Sequence, residues 1–256
     1  MINIIRSVSD TDNDLENYIV KLTALLDAKR PQFASVLRKL IESNCVHEHS
    51  ISSSDIRDYL PQKETASDQA TALNQFKKVG IKTGIFSSTS ATGVMLNQSL
   101  FSPHGESSNS FVITYENSVK TITNPALNAD YNVSVSFNSN DYLNDLLSLI
   151  RVGKPARDKS LSKVIQMFDD KGRINITFGH GSFGKMCEEV GLKNNRALRD
   201  KIELMVSHNI FKRDKNHLKL SSSLILSKEW FNDLENHKHS LLVEFKNKKI
   251  TIKTLE

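Results

Sequence analysis

The sequence predicts an α+β protein made of two tandem modules, residues 1–127 and 128–256, and three observations lead there. Residues 182–220 carry apolar positions at helical spacing twice over, separated by a glycine, and then switch to the two-residue alternation of short strands. Residues 49–100 run through the same order. The flanking material matches as well. NDLENYIVKL precedes the first stretch and NDYLNDLLSLI the second, while SFVITYENSVKTI (110–122) and SLLVEFKNKKITI (240–252) follow them. Each module is thus expected to carry an extra strand and helix in front and a β-hairpin behind.

Taken in order, MINIIRSV alternates as a short strand. Asp12 or Asp14 suits the cap of a helix whose Leu15, Tyr18, Ile19, Leu22, Leu25 and Leu26 form one apolar stripe. Pro31 fits the first turn of the next helix, carrying Phe33, Val36, Leu37, Leu40 and Ile41. HSIS (49–52) reads as a strand, and Ser53 or Ser54 as the cap of a small helix with Ile56 and Tyr59 that Pro61 closes. A third helix is expected from Glu64 to Val79, with Ala66, Ala70, Leu73 and Phe76 inward and Gly80 as its stop. Ile81–Phe86 and Val94–Leu100 then read as strands around the loop 87–93. The junction falls in NPALNAD (124–130).

In the second module Leu161, Val164 and Ile165 match Leu37, Leu40 and Ile41, and a strand follows at 174–178. Ser182 suits a helix cap, with Met186, Val190 and Leu192 as apolar contacts and Gly191 in the turn. Leu198, Ile202, Met205 and Val206 give the next helix its buried face, and Ala197-Leu198 matches Ala72-Leu73. Ile210 and Phe211 open a strand that turns at Asp214, Lys215 and Asn216 into His217–Leu220. Matched cassettes with matched flanks read as an internal duplication.

A helix-turn-helix followed by a hairpin resembles the winged-helix superfamily of nucleic-acid-binding domains, here twice in tandem. The tandem arrangement is similar to that of plasmid replication initiators with two winged-helix domains. The resemblance implies double-stranded DNA as partner, with the second helix of each motif entering the major groove and the hairpin flanking it.

The net charge of +5 is unevenly placed. Residues 151–220 hold 16 Lys/Arg against 8 Asp/Glu, whereas residues 1–150 hold 12 against 16. Lys193, Asn194, Asn195, Arg196 and Arg199 gather at the N-terminal end of the second motif's second helix. Arginine and asparagine are the side chains that bind guanine and adenine through paired hydrogen bonds. Asp200 and Glu203 lie further along, and Arg196 and Asp200 have the spacing of an ion pair. Lys212, Arg213, Lys215, His217 and Lys219 crowd the hairpin, where cations neutralise phosphates without reading sequence. Arg151, Lys154, Arg157 and Lys159 form a further basic run. The first motif offers Lys63, Gln69, Lys77 and Lys78 among Glu64 and Asp68, and its loop FSSTSATG is uncharged. A protein contact or dimerisation suits it as well as a second DNA site does.

Other classes of function find little support. Cys45 and Cys187 both fall in segments read as core, which argues against a disulfide framework and for a reducing, cytoplasmic and nucleoid-associated setting. Cys45, His47 and His49 lack further ligands for a metal, and no cofactor motif is present. No apolar run approaches a membrane span, and MINIIRSVSD does not resemble a signal peptide. Glu244 and Lys246, with Asp233 upstream, echo a metal-dependent nuclease strand, but alternation within a hairpin explains them. GHGSFG (179–184) lacks the Lys-Ser/Thr ending of a phosphate loop. The expectation is a non-enzymatic, sequence-specific double-stranded DNA-binding protein, either a transcription regulator or an origin-binding replication initiator of a mobile element. Two modules supply pseudo-twofold recognition within one chain, and a homodimer would present four. The alternative is a winged-helix interaction subunit of a larger DNA-processing or chromosome-organising complex.

Overall fold

The computed structural model describes residues 4–7, 14–26, 31–101, 109–126, 133–151, 159–175, 182–189, 191, 196–221, 224–246 and 249–255. The first half holds β1 (Ile4–Ser7), α1 (Asp14–Leu25), α2 (Pro31–Glu42), β2 (Ser50–Ser52), α3 (Ser53–Tyr59), α4 (Ala66–Lys82), β3 (Phe86–Thr89), β4 (Gly93–Leu96), β5 (Ser110–Glu116) and β6 (Val119–Thr123). The second holds β7 (Val133–Ser136), α5 (Ser139–Ile150), α6 (Ser160–Gln166), β8 (Arg173–Asn175), α7 (Ser182–Glu189), α8 (Arg196–Ser207), β9 (Phe211–Asp214), β10 (His217–Leu220), α9 (Lys228–Asn232), β11 (His239–Lys246) and β12 (Lys249–Leu255). It is an α+β structure, and its three sheets among the described residues are antiparallel throughout.

Each half contains the order helix–strand–helix–helix–strand–strand. In the first the three strands pair as β2-β4-β3, and in the second as β8-β10-β9, so the last strand of each unit lies between the other two. The buried positions of α4 are Leu73, Phe76, Lys77 and Gly80, and those of α8 are Leu198, Lys201, Ile202 and Met205. These are the same helical face at the same spacing. A second correspondence lies deeper. The Tyr18 hydroxyl of α1 donates to the Leu100 carbonyl at 2.6 Å, and the Tyr142 hydroxyl of α5 donates to the Leu224 carbonyl. Both rings are fully buried, where an unpaired hydroxyl would be costly.

The two trailing hairpins pair with each other. β5 runs antiparallel to β11, and the six-stranded sheet has the order β1-β12-β11-β5-β6-β7. Its outer strands are exchanged: β1 of the first half pairs with β12 of the second, and β7 of the second pairs with β6 of the first. One face of this sheet buries Phe111, Ile113, Tyr115, Leu241, Val243, Phe245, Ile250 and Ile252. Against it Tyr18 packs edge-on to Phe111 and Phe245, and Tyr142 packs edge-on to Tyr115.

Buried lysines tie the halves together. Lys21 of α1 donates to the carbonyls of Ser148 and Arg151 at the end of α5. Lys120 of β6 donates to the Leu25 carbonyl at the end of α1, 2.9 Å away, and pairs with Asp145 of α5 at 2.8 Å. Each helix thus presents its negative C-terminal end to an ammonium group from elsewhere in the chain.

Several local expectations are corrected. Gly80 does not stop its helix, and α4 runs on to Lys82, so residues 81 and 82 are helical and the strand begins at Phe86. Gly80 is needed for packing: a Cβ there would sit 2.0 Å from the Phe86 ring, and the chain turns at Gly84, whose φ is +72°. Ala66 and Ala70 are exposed rather than inward. The cap of α3 is Ser52, whose Oγ accepts from the Asp55 amide at 3.0 Å, rather than Ser53 or Ser54. Phe211, rather than Ile210, opens β9. Val206 is half-buried, and Lys201 takes the fourth place on the buried face of α8. Cys45 is partly exposed and Cys187 buried, both as free thiols. Helix α9, capped by Ser227, adds an element that periodicity left unread.

Candidate nucleic-acid interface

The N-terminal end of α8 is an exposed basic feature of the second half. Arg196 is its first residue, with 94% of the side chain exposed, and its Nε lies 4.0 Å from Asp200. An exposed pair at that distance holds an arginine only weakly. Arg199, one turn on, is also exposed, and its guanidinium carbon lies 5.0 Å from the centre of the buried Phe183 ring of α7. The ring face attracts the cation and favours this placement of it. Lys193, Asn194 and Asn195 lie outside the described residues, as do Val190 and Leu192.

The hairpin cations divide between two faces because paired strand residues share a face and alternate along the strand. The register pairs Lys212 with Lys219, Arg213 with Leu218, and Asp214 with His217. Leu218 and Phe211 are buried, so Arg213 projects on the helix side of this sheet and forms an ion pair with Glu203 of α8. Glu203 is thereby neutralised, and Arg213 is engaged within the protein. Lys212, His217 and Lys219 project on the opposite face, where Lys219 pairs with Asp214. That ammonium, by hydrogen bond and charge, holds the Asp214 carboxyl below the usual range. Lys215 occupies the turn, with φ of 50°, and is exposed.

The register also brings in a residue that sequence reading missed. Arg173 of β8 stands opposite Lys219, so Arg173, Lys219 and Lys212 form a row across the three strands. Arg173 lies 3.7 Å from Asp169. No periodicity within 170–175 singles it out; only the pairing of β8 with β10 does.

The first half carries the corresponding surface with different chemistry. Its hairpin is uncharged: Ser88 pairs with Met95 and Thr89 with Val94. Between α4 and this hairpin lies an open cleft of about 750 Å³ lined by Arg57, Asn74, Lys77, Lys78, Ile81 and Lys82, among others.

Elsewhere, Glu244 is engaged with Lys253 across the β11–β12 hairpin, and Asp233 lies 3.1 Å from His237. Among the described residues no three His, Cys, Asp or Glu side chains stand together as a metal site requires, and no helix is long and apolar enough to cross a membrane. No protein-family model, curated protein or solved structure matches the chain.

Proposed function

We propose that this chain is a sequence-specific double-stranded DNA-binding protein with tandem winged helices, acting as a transcription regulator or as the origin-binding replication initiator of a mobile element. The observation that carries this reading is the doubled unit of helix–strand–helix–helix–strand–strand, closed each time by a sheet whose last strand is central, with exposed Arg196 and Arg199 at the start of α8. Arg196 and Arg199 are assigned to base edges, and Lys215 with the row Arg173, Lys219 and Lys212 to phosphates. The exchanged outer strands and the β5–β11 pairing support a fixed relation between the two motifs, so one chain would present both to one duplex without dimerising. The rival role, in which these surfaces hold protein segments of a larger complex, expects the second helix of the motif to be covered by its own chain or buried in a partner. The chain itself leaves the outward residues Arg196, Arg199 and Asp200 exposed.

The test is selection of bound duplexes from a random pool, followed by gel shifts at rising salt. Arg196→Ala and Arg199→Ala should each cost about 1–3 kcal/mol on the selected duplex and relax preference at one base position. Absence of binding tighter than about 1 μM at low salt, the non-specific range, would refute the proposal.

A further inference from the structure

The first half holds an open cleft with a basic lining, although cations are denser in the second half. Ala70, Asn74, Lys78, Ile81 and Lys82 recur at helical spacing along one side of α4 and line the cleft with Arg57 of α3 and the hairpin residues Thr89–Ala91. No carboxylate lines it. Among the described residues none of Arg57, Lys77, Lys78 and Lys82 takes part in an ion pair. The contrast with α8 is direct. When the buried faces of the two helices are superposed, Asn74 falls where α8 has Arg199, and Lys78 falls where α8 has Glu203.

Lys77 shapes the cleft. Its ammonium donates to the Ser53 hydroxyl at 2.7 Å and to the carbonyls of Ser90 and Ala91 at 2.8 and 3.4 Å. The hairpin turn is therefore bolted to α4, and the cleft is formed in advance of any ligand. Burial, and to a smaller extent the charge of Arg57, push the Lys77 ammonium below the usual lysine range. Ile81, 42% exposed among these cations, and Asn74 are suited to a base edge rather than to a free anion. Helix α4 has 17 residues, about 25 Å of length at 1.5 Å per residue, which suits an extended ligand.

We propose that this cleft is a second duplex-DNA contact of the chain, in which Arg57, Lys78 and Lys82 bind backbone phosphates while Lys77 positions the hairpin. The assignment rests on the DNA-binding reading above. It gives the first half a share of the affinity that does not depend on sequence.

The test uses the full chain, fluorescence anisotropy, and two duplexes, the selected sequence and a scrambled one, across a potassium chloride series. For Arg57→Ala/Lys78→Ala/Lys82→Ala the slope of log K against log salt should fall by about 2.7, and both duplexes should bind more than about tenfold more weakly at 0.1 M salt. Lys78→Gln/Lys82→Gln, at two exposed positions, should lower the slope by about 1.8 and serves if the triple variant does not fold. An unchanged slope, with Arg196→Ala still weakening the selected duplex, overturns this inference and leaves the DNA-binding reading standing. A loss confined to the selected duplex also overturns it, since phosphates do not report sequence. If the unaltered chain binds neither duplex, both readings fall together.

Discussion

Replacement of Lys120 by methionine should be the most damaging single change at the junction of the two halves. Its ammonium donates to both oxygens of Asp145, at 3.0 and 2.8 Å, and to the Leu25 carbonyl at 2.9 Å. Asp145 also accepts from the Tyr115 hydroxyl at 2.8 Å and is almost wholly enclosed. Lys120→Met keeps an unbranched stem of similar length but leaves the carboxylate without its cation and the carbonyl without its donor. Removal of one partner from a buried pair costs ~3–5 kcal/mol. In a chain of this size that corresponds to a fall in Tm of ~6–20 °C. The assay is urea unfolding followed by the fluorescence of Trp230, the single tryptophan, whose ring lies 5.7 Å from Tyr142.

The pH dependence sharpens the test. Burial raises the Asp145 carboxyl above its usual range, opposed mainly by the charge of Lys120 and its hydrogen bonds. Without Lys120 the carboxyl rises further. An acid that holds its proton more tightly when folded loses stability as pH rises from the unfolded value through the folded one. The damage should therefore be larger at pH 7.5 than at pH 5. Lys120→Met/Asp145→Leu should recover part of the loss, because an apolar pair removes the stranded charge while the Tyr115 hydroxyl and the Leu25 carbonyl stay unpaired. A single-variant loss below about 1 kcal/mol, equal losses at the two pH values, or strict additivity in the double variant would refute the account.

Three further outcomes are expected. Gly80→Ala should destabilise the chain despite a helix-propensity gain of about 1 kcal/mol, because the added Cβ would lie 2.0 Å from the Phe86 ring; a net stabilisation in urea unfolding would contradict the close approach. Tyr142→Phe should cost about 1–2 kcal/mol, since it strands the buried Leu224 carbonyl, and Tyr18→Phe should cost less, since the Leu100 carbonyl keeps the Asn124 side-chain amide as a donor at 3.3 Å; equal costs or the reverse order would contradict this account. His239 is pushed down to about 4 by burial, so the unfolded chain binds its proton first as pH falls from 6.5. Stability should drop through that window at up to about 1.4 kcal/mol per pH unit, and His239→Gln should flatten the pH profile measured by thermal melts.

Most of the helices were legible because each has an apolar face wide enough to stand out in periodicity. Tyr18, Ile19, Leu22, Leu25 and Leu26 are all buried, as their spacing predicts. The hairpin of residues 110–122 was equally plain, and Asn117 and Ser118 at its turn have the positive φ that such turns need. Helix ends were less legible. Gly80 resembles a stop because glycine is the usual residue there, and only the ring of Phe86 above it explains a glycine kept inside a helix. The basic cluster of the second hairpin was visible as composition, but its division between faces was not. Arg213 and Lys212 are neighbours in sequence, and strand alternation sends one toward Glu203 and the other away.

The sequence by itself determined that the chain is α+β, that it repeats one order of elements, and that its cations concentrate after residue 150, since periodicity, spacing and charge are local properties. The tertiary structure alone decided that the trailing hairpins merge through β5 and β11, that β1 and β7 cross to the opposite half, and that Lys120 meets Asp145. It also revealed the cleft beside α4, where Arg57, Lys78 and Lys82 converge from two helices. These features depend on which backbone edges and buried charges find one another in space, and no local pattern encodes that choice.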